Sequence, residues 1–138
     1  MTSTRVRGPF LTVMATLLTL LAISNFTKAF QYLRDPTTLG IVIFGVRFES
    51  VESNLILGPL MGIVVGAYAY GLWTLKPWVA RLAMMYAFYV PTNLVLFWYL
   101  QTSTTIPPIG FILAYLAVAF TGSIGTALYL AYHPEKLR

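Results

Sequence analysis

The sequence predicts an all-α integral membrane protein, a four-transmembrane-helix bundle with an interfacial or re-entrant segment between helices 1 and 2. Two observations predict this fold. Of the 138 residues, 58% are hydrophobic and 9% are charged, whereas an ordinary soluble domain carries about a quarter charged residues. The hydrophobic residues also form long uncharged blocks. Each block reaches the ~20 residues that a helix needs to cross ~30 Å of hydrocarbon.

The charged residues divide the chain into one membrane domain, residues 1–138, with four predicted spans. The spans lie at about 9–27, 54–75, 79–101 and 108–132. Each is expected to be helical, because lipid offers no hydrogen-bond partner to an unpaired backbone group. A polar stretch that ends in Pro107-Pro108 separates the last two spans.

The ends of the spans carry residues that favour the membrane–water interface. A tight turn around Lys76-Pro77 joins the second and third spans, and Pro77 opens the third. Tryptophan, lysine and arginine are typical of the headgroup region. The predicted interface anchors are Trp73, Lys76, Trp78, Arg81 and Trp98.

Lysine and arginine are distributed unevenly between the two sides of the predicted bundle. Four spans place both termini on one side, which would hold six of these residues, and three would lie on the opposite side. The positive-inside rule therefore predicts cytoplasmic termini. The first block also fits a secretory signal, with Ala22-Ile23-Ser24 as a cleavage site. We interpret it as a retained span.

The segment at about 28–53 is too charged to cross the membrane and too long for a simple connector. Its apolar run reaches only about half the length of a span. One helical face would contain Phe44, Phe48, Val51 and Leu55. A short extended piece is the alternative, because the run is rich in β-branched residues. We prefer an amphipathic or re-entrant segment on the outer face, either covering the bundle end or offering a ligand or partner surface.

No acidic or basic residue falls well inside a predicted span. Pumps and proton-coupled transporters need such residues within the membrane. The chain has no cysteine and one histidine. His133 fits a structural role at a helix end. Glu49 and Glu52 could share a helical face for acid–base work, but a solvated interfacial face is the simpler interpretation. We therefore expect a protein that is not an enzyme, with no catalytic residue, no cofactor, no metal and no nucleic-acid partner.

Small residues recur every four positions in two spans, which lets helix backbones approach closely in lipid. The stripe in the second span is Gly58, Gly62 and Gly66, and the stripe in the fourth is Ala119, Ser123 and Ala127. Both stripes could pack within one bundle. The alternative is that at least one of them binds another membrane protein.

Pro91 and Asn93 interrupt the middle of the third span. Proline removes a helical hydrogen bond and kinks the helix, which frees a carbonyl. Asn93 could satisfy that backbone, bond to a neighbouring helix, or bind a ligand such as a quinone or a lipid headgroup. Tyr86 and Tyr89 could line such a pocket.

Four stretches carry a family resemblance: FGVR at 44–47, NLILGPL at 54–60, GLWTLKPW at 71–78 and NLVLF at 93–97. Over roughly residues 30–100 the chain resembles small uncharacterised bacterial four-span integral membrane proteins. The resemblance implies a multi-pass protein of the bacterial inner (cytoplasmic) membrane. It implies no activity.

The sequence thus predicts a non-catalytic accessory or assembly subunit of a larger membrane complex, which binds through the small-residue faces of spans two and four. The alternative is a homo-oligomeric channel or carrier for a small uncharged or lipid-like solute, with Pro91 and Asn93 as its site. A lipid-modifying enzyme that uses Glu49 and Glu52 ranks last. The expected partners are membrane lipids and other membrane subunits, with a homo-oligomer as a further option.

Overall fold

A computed structural model describes residues 7–35, 40–100 and 109–137, without the side chains of residues 111, 112 and 115. The chain is mostly helical. The helices are α1 (Pro9–Phe26), α2 (Lys28–Arg34), α3 (Val51–Thr74), α4 (Val79–Leu100) and α5 (Ile109–Tyr132). Two short strands, β1 (Ile41–Ile43) and β2 (Val46–Phe48), lie between α2 and α3, and a 3₁₀ turn (Pro134–Lys136) follows α5.

Three of the helices, α1, α3 and α4, are long and apolar enough to cross a membrane. The long helices lie where the spans are predicted, and the largest difference is at the start of α3, which begins at Val51 rather than at residue 54. The polar stretch predicted to separate the last two spans lies at 101–108, outside the described residues.

Local signals account for the ends of these helices. Pro9 opens α1 at a position where its missing N–H costs nothing. Ser50 caps α3 and accepts a hydrogen bond from Ser53 N at 3.1 Å. At the other end of α3, Leu75 is left-handed with φ 53° and ψ 42°, which turns the chain directly into α4. The predicted tight turn between the second and third spans is therefore confirmed.

Helices α1 and α3 form one closely packed antiparallel pair, and α4 packs against α5. Between α1 and α3, two glycines of the predicted stripe allow a close approach. A Cβ added at Gly58 would lie 2.6 Å from Asn25 O, and one at Gly62 would lie 2.6 Å from the Phe26 ring. Gly58 and Gly62 thus pack inside the chain, as the first of the two predicted alternatives has it. Binding of another membrane protein through the stripe stays a prediction.

A hydrophobic core joins the four long helices at the end of the bundle that holds the α3–α4 turn. Leu11, Leu72, Val79 and Leu130 come from four different helices, and each is at most 1% exposed. At the opposite end, β1 and β2 form an antiparallel hairpin with Ile41 opposite Phe48. The core therefore closes one end of the bundle, and the hairpin lies at the other.

The hairpin decides between the two alternatives for the segment at 28–53, in favour of the extended one over residues 41–48. The preferred helical face through Phe44 and Phe48 is not formed. A helix cannot form there because the chain makes a two-residue turn at Phe44-Gly45, where both φ angles are positive (46° and 79°). Such a turn matches the twist of paired strands, and glycine adopts it without strain.

Candidate functional site: an apolar cavity beneath the hairpin

A cavity of about 840 Å³ lies between α3 and α4, under the hairpin. Pockets that hold small organic ligands have volumes of roughly 300–1,000 Å³. Its two main walls come from α3 between Met61 and Tyr68 and from α4 between Leu82 and Leu94. Leu21, Asn25 and Lys28 of α1 and α2 line one side, and Gly40, Ile41, Val42 and Phe44 of the hairpin segment form its roof. We call this space the α3–α4 cavity.

The roof is attached to α3 by Asn54, a side chain that is 0% exposed. Its Oδ1 accepts a hydrogen bond from Ile41 N at 3.0 Å. Its Nδ2 donates to Phe48 O and to Ser50 O, both at 2.8 Å. One amide therefore holds both strands and the helix cap together. Gly40 is required beside it, because a Cβ there would lie 1.8 Å from Phe48 O.

The roof is attached to α4 by Asn93, whose Oδ1 accepts a hydrogen bond from Gly45 N at 2.8 Å. Asn93 also lines the cavity. One predicted role was a hydrogen bond to the carbonyl that Pro91 frees. The structure shows the Asn93 amide bonded to the hairpin turn instead. Helix α4 runs through Pro91 from Val79 to Leu100 without a break. The hairpin is thus bonded to both helices that form the cavity walls.

Four aromatic side chains form a continuous row along the cavity. The ring centroids of Tyr68 and Tyr86 are 5.4 Å apart, those of Tyr86 and Tyr89 are 6.2 Å apart, and Phe44 meets Tyr89 edge-on at 5.5 Å. Each such contact contributes about 0.5–1.5 kcal/mol beyond the area that it buries. This aromatic row gives the cavity a stiff, largely apolar wall.

Phe44 occupies the hairpin turn at a local cost. The first position of a turn with two positive φ angles favours Asn, Asp or Gly. A bulky residue in that conformation costs on the order of 1–3 kcal/mol. The strained turn places the Phe44 ring against Tyr89 and over the cavity. The contact with Tyr89 offsets part of the cost of this turn conformation.

Few polar groups face the cavity. Lys28 is the one charged residue among the residues that line it, and Asn25 lies beside it on the preceding helical turn. Tyr68 is 3% exposed, and its hydroxyl has no hydrogen-bond partner among the described residues. The neighbouring Thr126 hydroxyl donates to Gly122 O. An apolar space with a small number of polar groups is typical of a ligand site.

The stripe predicted in the fourth span is also used within the chain, at least in part. Ser123 is 1% exposed and donates to Ala119 O. Ala127 packs against the hydrophobic core. Ser123 is therefore buried and Ala127 partly buried, and binding of another subunit through this stripe stays a prediction.

The predicted interface anchors lie at the two ends of the bundle. Trp73, Lys76, Trp78 and Arg81 surround the α3–α4 turn, and Trp98 is exposed near the far end of α4. Trp73 Nε1 donates to Thr19 Oγ1 at 3.0 Å, and the Arg7 guanidinium lies 4.1 Å from the Trp73 ring centroid. Their interaction with a membrane interface stays a prediction.

The remaining titratable candidates lie away from the cavity. Glu49 and Glu52 are exposed, and Arg47 lies over the Phe97 ring, 5.0 Å from its centroid. Within the described residues, no group of three or more His, Asp or Glu side chains is placed to hold a metal ion. His133 Nδ1 lies 3.0 Å from Tyr129 O, which confirms the predicted helix-end role.

Sequence reasoning singled out Asn93 but missed Asn54 and the Lys28 corner of the cavity. Asn54 is a polar residue at the start of an otherwise apolar span, and that position is a usable signal.

No known protein family, curated protein or solved structure matches the chain. The resemblance to bacterial four-span membrane proteins therefore stays a prediction.

Proposed function

We propose that this chain is a multi-pass membrane protein that binds one lipid-like molecule in the α3–α4 cavity. The observation that carries the proposal is the cavity itself. It has a volume of about 840 Å³, the aromatic row along its length and a hairpin bonded to both walls. This choice follows the predicted alternative, a channel or carrier for a lipid-like solute, but places the site on the whole cavity and not on Pro91 and Asn93 alone.

Exposure of the cavity wall supports entry from the bilayer. Met85 and Phe88 line the cavity and are 67% and 74% exposed. Side chains that are both cavity-lining and exposed mark a lateral opening. In a membrane this opening would face acyl chains, so an amphiphile could enter without crossing water.

The proposed membrane arrangement has four spans, with α5 as the fourth. Its 24 residues give a length of ~36 Å at 1.5 Å per residue, enough for a hydrocarbon core of ~30 Å. We place both termini in the cytoplasm of a bacterial inner membrane, on the charge distribution described above. The hairpin then lies on the outer side of the protein, with its turn bonded to Asn93 inside the span that ends at Leu100.

The accessory-subunit prediction has less support from the geometry. It relied on free small-residue faces on the second and fourth spans. Gly58 and Gly62 are buried against α1 and the residues that follow it, and Ser123 is buried on α5. Binding of other membrane subunits, or of further copies of the chain, would have to use the remaining, partly exposed residues of these stripes or another surface.

Two adjacent methionines provide a matched test of the site. Met85 lines the cavity, whereas Met84 is 55% exposed and is not among the lining residues. Met85→Trp is expected to fill part of the cavity and to weaken lipid binding about tenfold, the equivalent of about 1.4 kcal/mol. Met84→Trp is expected to bind as the wild type does. Native mass spectrometry of detergent-solubilised protein would measure the fraction with one bound lipid.

Two results would contradict this assignment. One is equal loss of bound lipid in both methionine variants, which would indicate a general change of the helix surface. The other is stepwise binding of many lipids with no single saturating site, which would indicate an ordinary annular layer on the exposed helix faces.

A further inference from the structure

We propose that the molecule in the α3–α4 cavity is an anionic lipid and that Lys28 binds its headgroup. This inference rests on the proposed function and specifies its ligand. Among the described residues that line the cavity, Lys28 is the one charged residue, and none carries a carboxylate. In the part of the chain that the structure describes, the Lys28 ammonium has no hydrogen-bond or ion-pair partner.

The position of Lys28 is fixed by close packing. Leu21, Asn25 and Lys28 lie at i, i+4 and i+7 and all line the cavity, as one continuous face. On the α3 side, Gly58 lets the helices approach: a Cβ there would lie 2.6 Å from Asn25 O and 3.5 Å from Lys28 Cβ. The backbone that carries the lysine is therefore held against α3 at this end of the cavity.

The depth of Lys28 suits a headgroup. Lys28 begins α2 directly after the end of α1 at Phe26 and Thr27, where an apolar span ends and the lipid headgroups begin. On α3, Gly58 lies level with Lys28. Tyr68, at the far end of the cavity, follows Gly58 by ten residues. Ten helical residues correspond to ~15 Å, or about half of a hydrocarbon core of ~30 Å.

The cavity is therefore about as long as one leaflet is thick, with a basic residue at one end and the aromatic row beyond. Lys28 is half-buried, and a charge beside an apolar space is stabilised by a nearby counter-ion. The described lining residues provide no carboxylate, so an anionic headgroup in the cavity would be the counter-ion of Lys28. Basic pockets between membrane helices bind anionic headgroups in this way.

The experiment compares phosphatidylglycerol with phosphatidylcholine of identical acyl chains, added to purified protein in a neutral detergent. Native mass spectrometry gives the occupancy of each lipid. We expect wild-type protein to prefer phosphatidylglycerol by roughly fivefold, the factor that one lysine contributes near an anionic lipid surface. Lys28→Gln should remove this preference while leaving equal, weaker binding of both lipids. Lys28→Arg should keep it.

Lys76→Gln is the matched control. Lys76 is an exposed lysine at the α3–α4 turn and does not line the cavity, so its replacement should leave the lipid preference unchanged. Raising the ionic strength should reduce the wild-type preference, because salt screens the headgroup contact.

The outcomes separate the two proposals. If wild-type protein binds neither lipid at a saturable site, the proposed function and this inference both fail. If it binds both lipids equally at one site, the inference is overturned and the proposed function stands. The wild-type ratio decides this point even where a Lys28 variant fails to fold. A preference that survives in Lys28→Gln also overturns the role of Lys28.

Discussion

Asn54→Ala is expected to lower the free energy of unfolding by about 2–4 kcal/mol. The Asn54 side chain is 0% exposed and makes three hydrogen bonds to the backbone. Its removal leaves Ile41 N–H and Phe48 O without their partner, and each unpaired buried group costs about 1–3 kcal/mol. Chemical or thermal unfolding in detergent, followed by circular dichroism, would measure the loss.

Ser53→Ala is the control for Asn54→Ala, one residue earlier in the same helical turn. The Ser53 hydroxyl accepts an exposed hydrogen bond from Ser50 Oγ, so its loss should cost less than about 1 kcal/mol. Asn54→Asp separates shape from hydrogen bonding, since it keeps the acceptor for Ile41 N but turns a carboxylate oxygen towards Phe48 O. Asn54 variants no less stable than Ser53→Ala would show that this amide does not hold the hairpin.

The glycine stripe of α3 is expected to show a graded response to alanine. At Gly58 the new Cβ would lie 2.6 Å from Asn25 O, a backbone atom that cannot move alone. Overpacking of this kind costs about 1–3 kcal/mol. At Gly66 the nearest atom is Ala22 Cβ at 3.8 Å, which is ordinary contact. Gly66→Ala should therefore be neutral or stabilising by up to about 1 kcal/mol, because alanine is the better helix former.

Gly62→Ala should fall between these two variants. Its Cβ would lie 2.6 Å from the Phe26 ring, but Phe26 is 43% exposed and can rotate away. Unfolding of the three variants, measured side by side, tests whether the stripe is the contact between α1 and α3. If the stripe instead bound another protein, the three variants would be equally stable and would differ only in the subunits that copurify with them. Equal stability of Gly58→Ala and wild type would contradict the packing described here.

The helices could be predicted from the sequence because charges mark their ends and hydrophobicity marks their length. The α3–α4 turn was predictable for the same reason, since Lys76-Pro77 carries a charge and a helix-opening proline. The sequence could predict which face of a helix packs closely, but not which helix packs against that face. The spacing of Gly58, Gly62 and Gly66 shows a surface for close approach, and only the three-dimensional arrangement shows that α1 occupies it.

The extended segment was predicted only as an alternative, and the cavity only as a pocket near Asn93, Tyr86 and Tyr89; the hairpin pairing and the full cavity could not be predicted, for physical reasons. Three-residue strands are too short for a periodic signal, and Phe44 is a poor residue for its own turn. The contact that favours it, with Tyr89, is distant in sequence. Asn93 was recognisable as a polar group in an apolar span, but its partner Gly45 lies 48 residues earlier. A cavity depends on the separation of α3 and α4, which no sequence pattern encodes.

The most direct test of the central claim is to map where a lipid with a photoactivatable group on its acyl chain labels the wild-type protein. Peptide mass spectrometry would locate the labels, with and without excess unlabelled lipid. We predict labels on cavity residues such as Val65, Tyr86 and Tyr89, and their loss on competition. Labels spread over exposed faces, such as Leu20 and Leu128, and unaffected by competitor would contradict a lipid site between α3 and α4.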